Sequence, residues 1–459
     1  VVLAMGWAEN AADEEREADP PEGIPAMGLL VGAGGGELDY RRAALIHHSP
    51  GPGGGLFLGV DREGWIVVRD FEGGNVVTGR SDLQLESTDS VELRIAILPG
   101  PESGTGESGA EGFTLEIEAA AAVGGAPSAS LRLEGVGTNR LSGGMALASD
   151  GVTGHTSTPW FSRLAMSGPG LVEHPERLLG PILGAQYVVS RNTLTLTAQL
   201  LPISPIVPGP AEDGDHQVLL ETRSVSGEWT EGATALVTFP GFTATFTLED
   251  WPIGPEVPYR LSLLPEAEEP AWNPYTGVIR GTPAARDEFV VAAFTGNHNV
   301  ESPGVGRGSF NWKEGLWFPH EDIVRHVQAH DPDFLFFSGD QVYEGASPTR
   351  ADFERPYEDY LYKWYLWLWA FRDLTRDVPS VAIPDDHDVF HGNVWGAGGR
   401  PTPPGLAGAE AQDQGGYKLP ADWVNMVQRT QAAHLPPPWD PQPSQWGIDS
   451  YYTDVLYGG

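Results

Sequence analysis

The chain has 459 residues, too many for one ordinary core, so two to four domains are expected. Its 63 acids outnumber its 27 bases, and the net charge of −36 repels phosphate backbones and anionic membranes, which argues against nucleic-acid binding. With no cysteine there is no disulfide, thiol nucleophile or thiolate zinc site, and 59 glycines with 40 prolines argue against an all-helical protein.

No run of 18 apolar residues is present, so no membrane span is expected. Residues Val1–Pro52 are low in pattern and rich in Gly, Ala, Glu and Pro, and read as an irregular, flexible segment (1–52). The start, VVLAMGWAENAADEE, reads either as the tail of a secretion signal, with small residues near Gly6-Trp7-Ala8, or as a truncated reading frame. The first alternative places the protein outside the cell or in a periplasm.

Leu56–Val60 and Trp65–Val68 then read as strands around the turn Asp61–Gly64. Val91–Leu98, Phe113–Ala119, Ala129–Glu134 and Gly144–Ala148 continue as alternating runs, with a loop at Gly106–Gly112, and predict an antiparallel sandwich over 53–180. LSGGMALASDG (Leu141–Gly151) and TPWFSRLAMSG (Thr158–Gly168) resemble the end of concanavalin/laminin-G-like jelly rolls. That resemblance implies glycan binding or a packing role; no carboxylate pair for chemistry is visible here.

After a Gly/Pro joint near Leu179–Pro181, Gln186–Gln199 alternates, and Gln217–Ser224, Ala235–Phe239, Phe242–Glu249 and Val257–Leu264 keep the rhythm. An immunoglobulin-like or fibronectin-like sandwich is expected over 184–285, with Trp229 and Trp251 as core or anchoring residues.

The pattern changes at Asp287. Glu288–Phe294 and Phe334–Phe337 are continuous apolar runs with a helical stretch, Pro319–His330, between them. Strand, helix, strand predicts a parallel sheet whose strands are buried on both faces. Tyr357–Arg376 is a long helix with core aromatics (Tyr360, Trp364, Trp367, Trp369, Phe371). Val378–Ile383 is a third strand, and Ala421–Ala433 a further helical piece. The expected class is therefore multidomain: two all-β sandwiches, then an α/β domain over 286–459.

The three apolar strands end in Asn297/His298/Asn299, in Asp340 with Tyr343, and in Asp385/Asp386/His387/Asp388. Seven of the 12 histidines follow Asp287. Adjacent parallel strands present their carboxyl ends on one edge, where open α/β sheets bind ligands. Carboxylates crowded there need positive charge among them. A pair of metal ions supplies it, and such a centre activates water and holds phosphate oxygens.

The order GDQVYEG (Gly339–Gly345) then PSVAIPDDHDVFHGN (Pro379–Asn393) resembles the alkaline phosphatase D (PhoD-like) metallophosphatases of the calcineurin-like metallophosphoesterase superfamily. The resemblance covers about Gly184–Gly459 and includes the immunoglobulin-like domain before the catalytic one. It implies a phosphate-ester substrate, mono- or diester, attacked by metal-activated hydroxide. It implies Asp340 as metal-bridging carboxylate, Tyr343 as phenolate ligand, Asp386 as metal ligand, and His387 as phosphate contact or proton donor, with Asn393 as a further substrate contact.

Two features depart from that family. Thr295-Gly296 stands where the family has Ser-Cys, which excludes an iron–thiolate site and leaves Asn297 or His298 as substitute ligands, with the metal open among Ca, Fe, Mn and Zn. No Gly-Asp-x-His follows His387, so either the chain is a fragment with its domain cut short at Gly459, the favoured expectation, or a partner supplies the rest, or the site is incomplete. The other reading is a non-catalytic glycan-binding or surface protein with a vestigial phosphatase part.

Overall fold

Period-two burial builds the first of two compact units, Val1–Glu173 with Val305–Leu316. The computed structural model describes residues 1–9, 25–36, 38–100, 112–150, 157–203, 216–264, 273–281, 288–302, 304–305, 308–391, 393 and 398–457. In the first unit these form β1 (Val2–Glu9), β2 (Ala26–Ala33), α1 (Ala43–Ile46), β3 (Leu56–Asp61), β4 (Trp65–Asp70), β5 (Val76–Gln84), β6 (Val91–Pro99), β7 (Gly112–Ala120), β8 (Ala129–Gly137), β9 (Gly144–Asp150) and β10 (Ser157–Ala165). Two antiparallel five-stranded sheets, β10-β1-β6-β7-β8 and β5-β4-β3-β2-β9, face each other across a core that includes Leu3, Met5, Met27, Leu29, Leu58, Ile66, Leu93 and Ile117.

The irregular segment expected over 1–52 is therefore corrected. It contributes a strand to each sheet. In β1, Leu3, Met5 and Trp7 enter the core, but the residues between them are Ala4, Gly6 and Ala8, so there is no polar half to the alternation. Gly6 has to be small, because a Cβ there would lie 2.5 Å from the Trp160 ring. All eight residues of β2 are buried, so it too lacks a polar half. Most of the expected Gly106–Gly112 loop lies outside the described residues.

The unit also takes in Val305–Leu316, which the sequence placed with the α/β region. The Phe310 and Trp312 amides donate to the Pro50 and Pro52 carbonyls at 2.8 and 3.0 Å, and Trp312 Nε1 donates to the Ser49 carbonyl at 2.7 Å.

The second unit is His174–Gly304 with Trp317–Gly459. Its antiparallel strands are β11 (Ile182–Ser190), β12 (Thr193–Leu200), β13 (Gln217–Arg223), β14 (Trp229–Leu236), β15 (Thr243–Leu248), β16 (Val257–Leu264) and β17 (Tyr275–Ile279), in sheets β11-β12-β15 and β14-β13-β16-β17. The alternating run Gln186–Gln199 is a hairpin, not one strand. It turns at Arg191-Asn192, with φ of 50° and 62° and Ser190 opposite Thr193, the signature of a tight two-residue turn. No Gly or Pro marks that turn.

Next come β18 (Val291–Phe294), α2 (Glu321–Ala329), β19 (Phe334–Phe337), α3 (Pro356–Thr375), β20 (Ser380–Ala382), α4 (Gly408–Gln414) and α5 (Ala421–Ala432). The three strands pair in parallel, in the order β18-β19-β20. The expectation of burial on both faces holds for one face only: Leu335 and Phe337 are buried, whereas Phe334 and Phe336 are partly exposed. The buried face packs on α3, with Phe337 edge-on to Trp367 at 4.8 Å and Phe294 edge-on to Phe371 at 5.5 Å. On the other face Phe334 meets Tyr457 at 5.4 Å.

Helix α3 is buried nearly all round because β11 covers another of its sides. There Gly184 lies so close to Leu368 that a Cβ would come within 2.8 Å. Trp364 Nε1 donates to Gln199 Oε1 of β12 at 2.9 Å. Among the described residues the chain is thus mainly β, with five sheets and five α-helices, and no helix is long and apolar enough to cross a membrane.

Candidate metal centre

The parallel register places the ends of β18, β19 and β20 side by side. Their loops are joined at once: the Asn297 amide donates to the Asp340 carbonyl at 3.1 Å. Gly339 has a φ of +107°, and a Cβ there would lie 2.4 Å from the Asp385 Cβ, so the loop after β19 rests directly on the loop after β20. Asp340 itself is left-handed, with φ +59°, a rare state for a residue with a side chain.

Asp340, Asp386 and His387 come together, each offering one donor atom within 4.8 Å of the others. The Tyr343 hydroxyl donates to Asp340 Oδ2 at 3.2 Å. The Tyr343 ring lies between two imidazoles, 3.9 Å from His298 and 4.8 Å from His387. Asn297 is beside Asp340 through its backbone, and its side-chain oxygen is buried without a hydrogen-bond partner. His298 reaches the group through its stack on Tyr343 and lies outside the three-donor cluster. Asn393 is not drawn in: its amide donates to His391 Nδ1 at 2.9 Å, and no side-chain hydrogen bond joins it to the cluster among the described residues.

Two contributors had no assigned role in the sequence. Glu344 Oε2 lies 2.7 Å from His387 Nδ1. Asp388, fully buried, receives the amides of Asp340, Val342 and Asp385 and the Gln431 side chain. Both stand next to residues the motifs single out, but side-chain direction in a loop follows no period, so neither partner could be read.

The charges are strongly coupled. The Glu344 hydrogen bond, opposed by burial and aided by the Glu344 charge, raises His387 to about 9, so the imidazole is cationic at neutral pH. Burial works to raise Glu344, but the bond to His387 wins and holds it below its ordinary value. Burial raises Asp340; His387 opposes this, and the Asp385 and Asp386 charges add to it. Burial and the neighbouring Asp340 charge push the Tyr343 phenol well up, so it keeps its proton and donates it. Burial lifts Asp388 to about 7 against four donors that pull it down.

A cation fits this donor set. Among the described residues Asp340 Oδ1, like Asn297 Oδ1, is buried and unpaired, and an unpaired buried carboxylate oxygen is costly unless a cation or donor meets it. Carboxylate, amide oxygen and imidazole suit hard or borderline divalent ions rather than soft ones.

No family model and no curated protein matches the chain. Among solved structures it is similar to one described as "Structure of PhoD", at 15% identity and a TM-score of 0.40, over 61% of this chain and 50% of that one. It is also similar to the purple acid phosphatase PPD1 from yellow lupin (Lupinus luteus) seeds, at 11% identity and a TM-score of 0.33, over 90% of this chain and 60% of that one. The chain thus spans half to three-fifths of the structures it resembles.

Proposed function

We propose that this chain carries the metal site of a phosphoesterase that hydrolyses phosphate mono- or diesters. The observation that carries the reading is the meeting of Asp340, Asp386 and His387 at the carboxyl edge of a parallel sheet, with a buried, unpaired Asp340 oxygen among them. An acidic cluster with an orphaned oxygen is poorly built for an apolar or anionic ligand alone, and well built for a cation that then recruits an anion.

In this proposal Asp340 and Asp386 would hold the metal, with Asn297 Oδ1 as a donor on the β18 side. His298 is a reserve donor behind Tyr343. When bound, such ions neutralise phosphate oxygens and acidify water. Tyr343 orients Asp340 through their hydrogen bond, and a cation beside it would favour the phenolate. Glu344 occupies His387 Nδ1, which fixes the ring and leaves Nε2 as the nitrogen that contacts the phosphate and protonates the departing oxygen. The first sandwich gains no support as a sugar-binding module from the comparisons.

Chelator-stripped protein resupplied with Ca²⁺, Mn²⁺, Fe²⁺ or Zn²⁺, and assayed on p-nitrophenyl phosphate and bis(p-nitrophenyl) phosphate, tests the proposal. At least one metal should restore hydrolysis of at least one ester, and Asp340→Asn should abolish it with the fold intact. Equal turnover by Asp340→Asn would reject the site.

A further inference from the structure

We infer that Asp388, which would touch neither ion nor substrate, is the positioning residue that sets the geometry of the metal-binding edge; the inference rests on the proposed metal centre. The strands have ended before this point, so the backbone amides of the two loops have no ladder partner. Three of them converge on one buried group. Asp388 Oδ2 accepts from Asp340 N at 2.8 Å and from Asp385 N at 2.9 Å. Oδ1 accepts from Val342 N at 2.9 Å and from Gln431 Nε2 at 2.9 Å.

Only a carboxylate has the lone pairs to accept all four; an amide or a hydroxyl has too few. None of the four donors is charged, and the side chain is wholly buried. A buried carboxylate held only by neutral donors is costly to desolvate, and here that cost is offset by pairing three loop amides that no strand ladder reaches.

What the arrangement secures is local. The loops after β19 and β20 are pinned to one carboxylate, on either side of the contact between Gly339 and Asp385. The bond to its amide keeps Asp340 in its left-handed state, φ +59°, which aims the carboxylate toward Asp386 and His387. Gln431 extends the hold into the helices: its Nε2 also donates to the Tyr360 hydroxyl of α3 at 3.1 Å, and its Oε1 accepts from Gln341 at 2.8 Å. Residues that orient metal ligands in this way typically shift metal affinity by about 10- to 100-fold when changed.

The test measures Mn²⁺ affinity by calorimetry on the full chain for wild type, Asp388→Asn and Leu196→Ala. The last removes a fully buried side chain from β12, away from the metal edge, and so reports general destabilisation. The expected result is Mn²⁺ binding weakened about tenfold or more in Asp388→Asn and unchanged in Leu196→Ala. Unchanged binding in Asp388→Asn overturns the inference, as does equal weakening in both variants. Should the wild type bind Ca²⁺, Fe²⁺ or Zn²⁺ instead of Mn²⁺, the three proteins are compared with that ion; failure with all four overturns the metal centre itself, and this inference with it. Should Asp388→Asn not fold, hydrogen exchange of the wild type decides: the Asp340, Val342 and Asp385 amides should be strongly protected despite lying in loops, and fast exchange at all three overturns the role.

Discussion

At the scale of the residue, burial without a charged partner governs the chemistry. His434 is fully buried and bonds the Ser380 carbonyl through Nε2 at 3.1 Å, and burial pushes it down to about 4. Above the unfolded value of about 6.5 the ring is neutral in both states and adds no pH dependence. As pH falls below that, the unfolded chain takes up a proton that the folded one refuses until about 4, so stability declines through this window. Acting alone, His434 would remove about 3 kcal/mol across it. Urea unfolding at pH 7, 5.5 and 4.5 should show a shallower decline for His434→Gln than for wild type; parallel declines would contradict this.

The same scale shows what the sequence could and could not carry. Asp340, Asp386 and His387 were legible because each follows a short apolar run, and parallel strands must end on one edge. The hold of Glu344 on His387 and the hub at Asp388 were not, because they depend on loop dihedrals such as the left-handed Asp340. Of Asn393 only the backbone is engaged among the described contacts, so its part as a substrate contact rests on the motif alone.

At the scale of elements, α3 is the joint on which the second unit is built, and its polar contacts are as specific as its aromatic ones. Gln199 accepts from Trp364 Nε1 and donates to the carbonyls of Gly241, Leu200 and Phe242, all within the core. Gln199→Leu would keep the bulk and strand every one of these groups. A loss of about 2–3 kcal/mol is expected, mainly from the unpaired indole N–H and carbonyls, read from the shift in denaturation midpoint. A loss below about 0.5 kcal/mol would show that water replaces the side chain.

Strands with a clear polar half, such as β6 and β7, could be read within a residue or two. Strands β1 and β2 could not, since small or apolar residues fill both of their faces. The β11–β12 turn was invisible because Arg191 and Asn192 take positive φ without a glycine.

At the scale of the whole molecule, the excess of acid is the dominant feature of the composition. A net charge of −36 makes the folded state repel itself, and salt should relieve this. Raising NaCl from about 0.02 M to about 0.5 M shortens the screening length from roughly 20 Å to roughly 4 Å and should raise the melting temperature. A melting temperature that falls with salt would mean that attractive ion pairs, not repulsion, set the balance. The same excess of acid would favour a cation at the proposed metal edge, where with no cysteine the candidate donors are oxygen and imidazole.

If the edge formed by β18, β19 and β20 is a cation site organised by Asp340, removing the Asp340 carboxylate should release the ion. Equilibrium dialysis of the chelator-stripped chain against Mn²⁺, with wild type beside Asp340→Asn, puts this to the test. At least one ion should be retained per wild-type chain and that ion lost in Asp340→Asn, with circular dichroism unchanged. Equal retention by the two proteins, or none by the wild type with Mn²⁺, Ca²⁺, Fe²⁺ and Zn²⁺ each tried in turn, would contradict the proposed site.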